Sequence, residues 1–130
     1  MIVADASAVL EILLRTPKAE VLDDLLLSSS AVLHAPHLID VEVTQALRRL
    51  VLSGNLAEPR AAQAIDDLRG IRIERHAHGD FIRRAWQLRS AMTAYDAMYV
   101  ALAEALEAPL VTCDAKLSRA QGHGAVIRAV

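Results

Sequence analysis

Ile2-Val3-Ala4-Asp5-Ala6-Ser7-Ala8-Val9-Leu10 starts as a short apolar run and changes character at an acid. Its first three residues read as a buried strand, and residues 6–14 as a helix with apolar positions at helical spacing. Near the other end, Leu110-Val111-Thr112-Cys113-Asp114 repeats the pattern, with a short helix expected over 114–120. A short apolar strand that ends on an acid and feeds a helix is the unit of a parallel α/β sheet, whose strands are buried on both faces.

The chain between these stretches keeps the alternation. Pro17 suits the first turn of a second helix carrying Val21, Leu22, Leu25 and Leu26. Ala31-Val32-Leu33-His34 is a second apolar run, bounded by Ser28-Ser29-Ser30 and Pro36. A long helix is expected from about 36 to 52, closed by Ser53-Gly54-Asn55. Pro59 opens another that stops at Gly70, and Ile71-Arg72-Ile73-Glu74 alternates as a third strand should. Helical spacing returns over 80–91, and Thr93 predicts an N-cap for a helix over 94–107. Ala125-Val126-Ile127 is a last strand. The expected fold is α/β, with a mainly parallel sheet of four to five short strands, and 130 residues fit one domain over 1–130.

Composition narrows the function classes. The net charge of −2 announces no basic nucleic-acid arm, but setting four of the 16 acids aside leaves 12 against 14 Lys and Arg, or +2, so RNA is not excluded. The one cysteine, Cys113, cannot pair within the chain and suits a reducing compartment. The first apolar run is cut by Asp5 and Glu11 and lacks a basic head, a poor match to a signal peptide. With no apolar stretch of the roughly 18 residues a membrane span needs, a cytoplasmic protein is expected.

All carboxyl ends of a parallel sheet lie on one edge, and ligands bind in the crevice outside it. Asp5 and Asp114 should therefore face one crevice, as neighbours if their strands are adjacent. Alone, each is equally an N-cap accepting free helix amides. Asp96, three residues after Thr93, could likewise complete a capping box, but Met92, Thr93, Tyr99 and Val100 surround it and no base on its helix balances it. Glu42 lies between Val41 and Val43, with Leu38, Ile39, Gln45 and Ala46 at helical spacing and no local cation. A partly buried carboxylate without a local partner is costly unless a partner or a metal compensates it. Oxygen ligands without Cys or neutral His favour Mg²⁺ or Mn²⁺, and such ions can activate a water and stabilise a leaving oxygen in phosphodiester cleavage.

Four stretches, Val3–Leu10, Glu42-Val43-Thr44-Gln45-Ala46-Leu47, Tyr95–Ala103 and Leu110–Leu117, resemble the PIN-domain ribonucleases in order and spacing, and within them the VapC-type toxins of toxin–antitoxin pairs. The resemblance implies a three-layer α/β/α domain that cuts RNA. It further implies Asp5 and Asp96 as principal metal ligands, with Glu42 and Asp114 completing the acidic cluster and orienting a second ion or the water. Thr112 matches the hydroxyl that accompanies the last acid, and Ser7 the residue that braces Asp5. A VapB-like antitoxin and a homodimer are the partners this resemblance implies. No acidic position departs from the family pattern.

Other residues carry less. His76 and His78 form a His-x-His pair expected in an exposed loop without a third ligand, and His34 and His37 flank a proline turn. Cys113 reads as a small core residue. Among Arg48-Arg49, Arg83-Arg84, Lys116 and Arg119, the last two follow Asp114 at the crevice rim and are the first candidates for phosphate contact. Aromatic residues make up 3%, too few for a base-stacking platform. The main rival is a Mg²⁺-binding phospho-receiver, but that class pairs two acids after its first strand, where Asp5 stands alone. A phospho-aspartate phosphatase would need Asp where Ser7 stands, and a pure binding module would not need four acids.

Overall fold

A computed structural model describes residues 1–27 and 30–130. Ser28 and Ser29, part of the expected boundary before the second strand, lie outside the described residues. Among the described residues, five strands form one sheet in the order β3-β2-β1-β4-β5: β1 (Ile2–Ala4), β2 (Leu33–Pro36), β3 (Ile73–His76), β4 (Leu110–Thr112) and β5 (Ile127–Ala129). Every pairing is parallel. The helices are α1 (Ala6–Leu13), α2 (Ala19–Leu26), α3 (Leu38–Leu52), α4 (Glu58–Gly70), α5 (Ile82–Gln87), α6 (Ala94–Leu106) and α7 (Ala115–Ser118).

Helices α1 to α4 pack on one another as one layer, while α6 packs on α5 and against β1, β2 and β4 as the other. This is the three-layer α/β/α arrangement. The core is aliphatic: Val3, Val9, Leu22, Ile39, Val43, Leu102, Leu110 and Val111 are fully buried. The central strands β1 and β4 are buried on both faces, which is why they read as unbroken apolar runs rather than as alternations.

Several expected boundaries move. β2, β3 and β5 each run about two residues later than their apolar runs suggested. At β3 the reason is local, because the amide of Ile71 still bonds the carbonyls of Asp67 and Leu68 and closes α4 before the strand begins. Pairing then aligns Leu33 with Ile73 and Pro36 with His76. The helix expected over 80–91 is a 3₁₀ turn at Gly79–Phe81 followed by the shorter α5. Likewise α2 starts at Ala19, after the Pro17 turn, and α7 ends at Ser118. Among the described residues no helix is long and apolar enough to cross a membrane.

Candidate active site

The strand order reverses direction between β1 and β4, since the chain builds leftward through β2 and β3 and then crosses back to β4. The crevice at the carboxyl ends of such a switch point is where open α/β sheets bind ligands. Asp5 follows β1, Asp114 follows β4, and the Asp5 amide bonds the carbonyl of Val111 at 3.2 Å across the pair. The expected adjacency of these two acids is therefore what the sheet provides. The order also separates the fold from a phospho-receiver, in which the strands run 2-1-3-4-5.

Asp5 is both a cap and the centre of a network. Its Oδ1 accepts from the Ala8 amide at 3.1 Å, as an N-cap does, and from Ser7 Oγ at 2.6 Å. The Thr112 hydroxyl donates to Oδ2 at 2.5 Å. Each hydroxyl has one proton, and both protons go to Asp5. Their lone pairs accept backbone amides in turn: Ser7 from Cys113 at 2.9 Å, and Thr112 from Asp114 at 2.9 Å. The 3.3 Å approach of Ser7 to Thr112 therefore has no proton left to serve it. Ser7 and Thr112 thus tie the loop after β4 to the acid after β1.

The other acids come from the two helix layers. Asp96 is in the first turn of α6, where Thr93 caps the helix by accepting the Asp96 amide at 3.2 Å. Glu42 is in the second turn of α3, and its Oε1 accepts from the phenol of Tyr99 at 2.7 Å. Sequence reasoning left Glu42 without a partner other than a metal, and Tyr99, fully buried on α6, is the donor it missed. Asp114 caps α7 by accepting the Lys116 amide at 2.9 Å.

Electrostatics links all four. Burial raises the Asp5 carboxyl above its ordinary value; the Ser7 and Thr112 hydroxyls and the Ala8 amide pull it back, and the charge of Asp114 adds to the rise. Burial likewise raises Glu42 against the pull of Tyr99, with Asp96 and Asp5 raising it further. Asp96 is raised by burial, then by Asp114 and Asp5, while Lys116 and the Thr93 hydroxyl lower it. The Tyr99 phenol is pushed far up by burial and by Glu42, so it stays protonated and donates. The acids share a field rather than a tight contact: among the described residues, the set of three ligand atoms lying within 4.8 Å of one another is His34, Glu74 and His76.

The donor set fits a hard divalent cation, because all four groups offer oxygen and three hold protons more tightly than usual, a cost that positive charge between them would relieve. Glu42 keeps Oε2, Asp114 keeps Oδ2, and Asp5 keeps a lone pair on Oδ2 after its three hydrogen bonds. Beside the acids runs a groove of about 660 Å³ lined by Ser7, Leu10, Val41, Glu42, Arg49 and Tyr95.

The remaining candidates divide. Lys116 is exposed and within electrostatic reach of Asp96, while Arg119 is exposed on the turn after α7. Arg84 is engaged elsewhere, forking onto Glu104 with two contacts of 3.0 Å, so it is not a free phosphate ligand. Arg49, on the groove wall, has the better position. Cys113 is half-buried, and burial pushes its thiol up, away from nucleophilic use. The histidines depart from expectation: His76 is the last residue of β3 and His34 is buried on β2, their ring nitrogens 2.8 Å apart. His78 is half-buried, and its Nε2 accepts the Leu38 amide at 3.0 Å at the start of α3.

Comparison with known proteins agrees with this architecture. Residues 2–122 match the PIN domain family. The chain is 45% identical to Ribonuclease VapC1 of Mycobacterium tuberculosis, covering 98% of this chain and 96% of that protein. It is 38% identical to Ribonuclease VapC12 of the same organism, over 100% of this chain and 99% of that one. The crystal structure of VapBC2 from Rickettsia felis, bound to a DNA fragment from their promoter, superposes with a TM-score of 0.71 at 14% identity, covering 100% of this chain and 99% of that chain. The chain belongs to the PIN-domain family and, within it, to the VapC-type toxins.

Proposed function

We propose that this protein is a Mg²⁺-dependent endoribonuclease, the toxin of a type II toxin–antitoxin pair, that cuts single-stranded or looped RNA at Asp5, Glu42, Asp96 and Asp114. The observation that supports the reading is that four acids carried by different parts of the chain act on one another electrostatically beside the switch point, three of them with raised proton affinity. The names of the VapC relatives support the reaction class. Asp5 and Asp96 would hold the ion, with Mn²⁺ able to replace Mg²⁺; bound there, it supplies Lewis-acid activation of a water and neutralises phosphate charge.

The chain's own residues do the rest. Ser7 and Thr112 fix Asp5 in one orientation and pull its carboxyl back down against the rise that burial causes. Glu42, held by Tyr99 and raised above its ordinary value, is suited to take a proton from water. Asp114 closes the cluster on the β4 side. Lys116 and Arg119 would draw the RNA backbone to the rim, where phosphate contact rather than stacking sets affinity.

In this reading the whole chain acts as one nuclease domain in the cytoplasm, as a homodimer, restrained by a VapB-like antitoxin. The VapBC composition of the Rickettsia complex supports a search for such a partner. The test is cleavage of RNA by the purified protein: excess chelator should abolish cutting and added Mg²⁺ should restore it. Undiminished cutting in chelator contradicts the metal mechanism.

A further inference from the structure

Away from the switch point, the sheet carries a second constellation. His34 on β2 pairs in register with Glu74 on β3, and His76 lies two residues beyond Glu74, so all three side chains leave the same face of two bonded parallel strands. His34 Nδ1 is 2.8 Å from His76 Nε2 and 3.9 Å from Glu74 Oε2. One potential ligand atom from each residue lies within 4.8 Å of the other two. Arg75, between Glu74 and His76, points to the other face and forks onto Asp40 of α3 with bonds of 2.7 and 2.8 Å. That pair leaves the imidazoles and Glu74 without competition from its cation.

We propose that His34, Glu74 and His76 form a binding site for a borderline divalent transition ion, with Zn²⁺ the best match, that staples the edge strand β3 to β2. Two imidazoles and one carboxylate are a three-ligand zinc set that leaves a position for water. Mg²⁺, the ion suited to the four acids, prefers oxygen and is a poor match for two ring nitrogens. Holding Zn²⁺ at the usual Zn–N length of about 2.1 Å requires the two nitrogens to separate to about 3.4 Å. The half-exposed His76, at the end of its strand, can turn that far. Each ring then carries its proton on the nitrogen facing away from the ion. The ligands sit on paired strands rather than on a loop, so little order has to be created on binding.

The test uses metal-stripped protein titrated with Co²⁺ and Zn²⁺ in excess Mg²⁺, which occupies the acidic crevice. Nitrogen-ligated Co²⁺ should give visible absorption bands that Zn²⁺ displaces, and Zn²⁺ should raise the melting temperature. His76→Gln should lose both effects, with at least tenfold weaker Zn²⁺ binding, and Glu74→Gln should weaken it less. Asp96→Asn should keep both. Because His34 is buried and its replacement could unfold the chain, the exposed and half-exposed ligands carry the decision. Parent-like Zn²⁺ affinity in His76→Gln, or loss in Asp96→Asn, overturns the site. A melting temperature unmoved by Zn²⁺ would leave a plain hydrogen-bonded histidine pair and also overturn it. None of these readouts depends on RNA cleavage, so the ribonuclease reading and this site stand or fall separately.

Discussion

At the residue scale, Asp5 of the proposed site is held by two hydroxyls, those of Ser7 and Thr112, that donate to its carboxylate. Thr112→Val keeps the shape of a fully buried side chain but removes the donor to Asp5 and the acceptor for the Asp114 amide. Leaving buried polar groups unpaired costs roughly 1–3 kcal/mol. Thr112→Val should therefore lower the melting temperature and, by removing a group that lowers the Asp5 carboxyl, move the acid limb of the activity profile to higher pH. An unchanged limb would mean that Thr112 only fills space. The raised carboxyls give a further prediction with a definite sign. A carboxyl raised in the folded state binds protons more tightly there than when unfolded, so its contribution to stability falls as pH rises from the ordinary value toward the folded one. The metal-free protein should lose stability over that window, starting near 3.8 for Asp5 and Asp96 and 4.5 for Glu42. Asp96→Asn should show a shallower loss in melts across pH. Parallel curves for the two proteins would contradict the shared field. The acids were legible because each interrupts an apolar stretch. Tyr99 was not legible as the partner of Glu42, because 57 residues separate them and only the crossing of α6 over the sheet edge brings them together.

At the element scale, helix ends position the acids. Helix α3 has no cap from its own N-cap residue, His37; the acceptor comes from His78, 40 residues away. His78→Ala should cost about 1 kcal/mol, the usual price of a lost cap, and shift the melting temperature by a few degrees. A melt unchanged from the parent would show that water satisfies the Leu38 amide equally well. That cap explains why His76-Ala77-His78, read from its sequence alone, looked like a loop motif. The first histidine finishes a strand and the last serves a helix from a different part of the chain. The displaced strands have a related cause. Apolar runs mark where burial is possible, but parallel pairing decides which residues bond, and Leu33 aligns with Ile73 rather than with Ile71. Where a cap residue sits beside its own helix, as Thr93 does for α6, the boundary was readable to the residue.

At the scale of the whole molecule, the class of fold followed from alternating apolar runs and helices, whereas the strand order did not, because nothing local says that β4 returns to the far side of β1. That return creates the switch point and sets Asp5 beside Asp114. On the proposed ribonuclease reading, the near-neutral charge leaves the attraction of RNA to local cations. Replacing Lys116 and Arg119 together with Ala should weaken RNA binding and flatten its salt dependence, with less effect on cutting at saturating RNA. An unchanged salt slope would return both to the solvated surface. A small partner encoded beside this protein should relieve growth arrest on co-expression, and a neighbour that neither binds nor relieves would weaken the toxin reading while leaving the nuclease reading intact. The central claim is that the four acids form a metal-dependent RNA-cutting site. It is tested most directly by Asp96→Asn, measured for RNA cleavage and for melting with chelator and with Mg²⁺. The variant should not cut, should melt no earlier than the parent in chelator because a repelling charge is gone, and should gain less from Mg²⁺, since ligands stabilise the state they bind. A variant that melts clearly earlier in chelator and still cuts RNA would make Asp96 a structural cap and contradict the site.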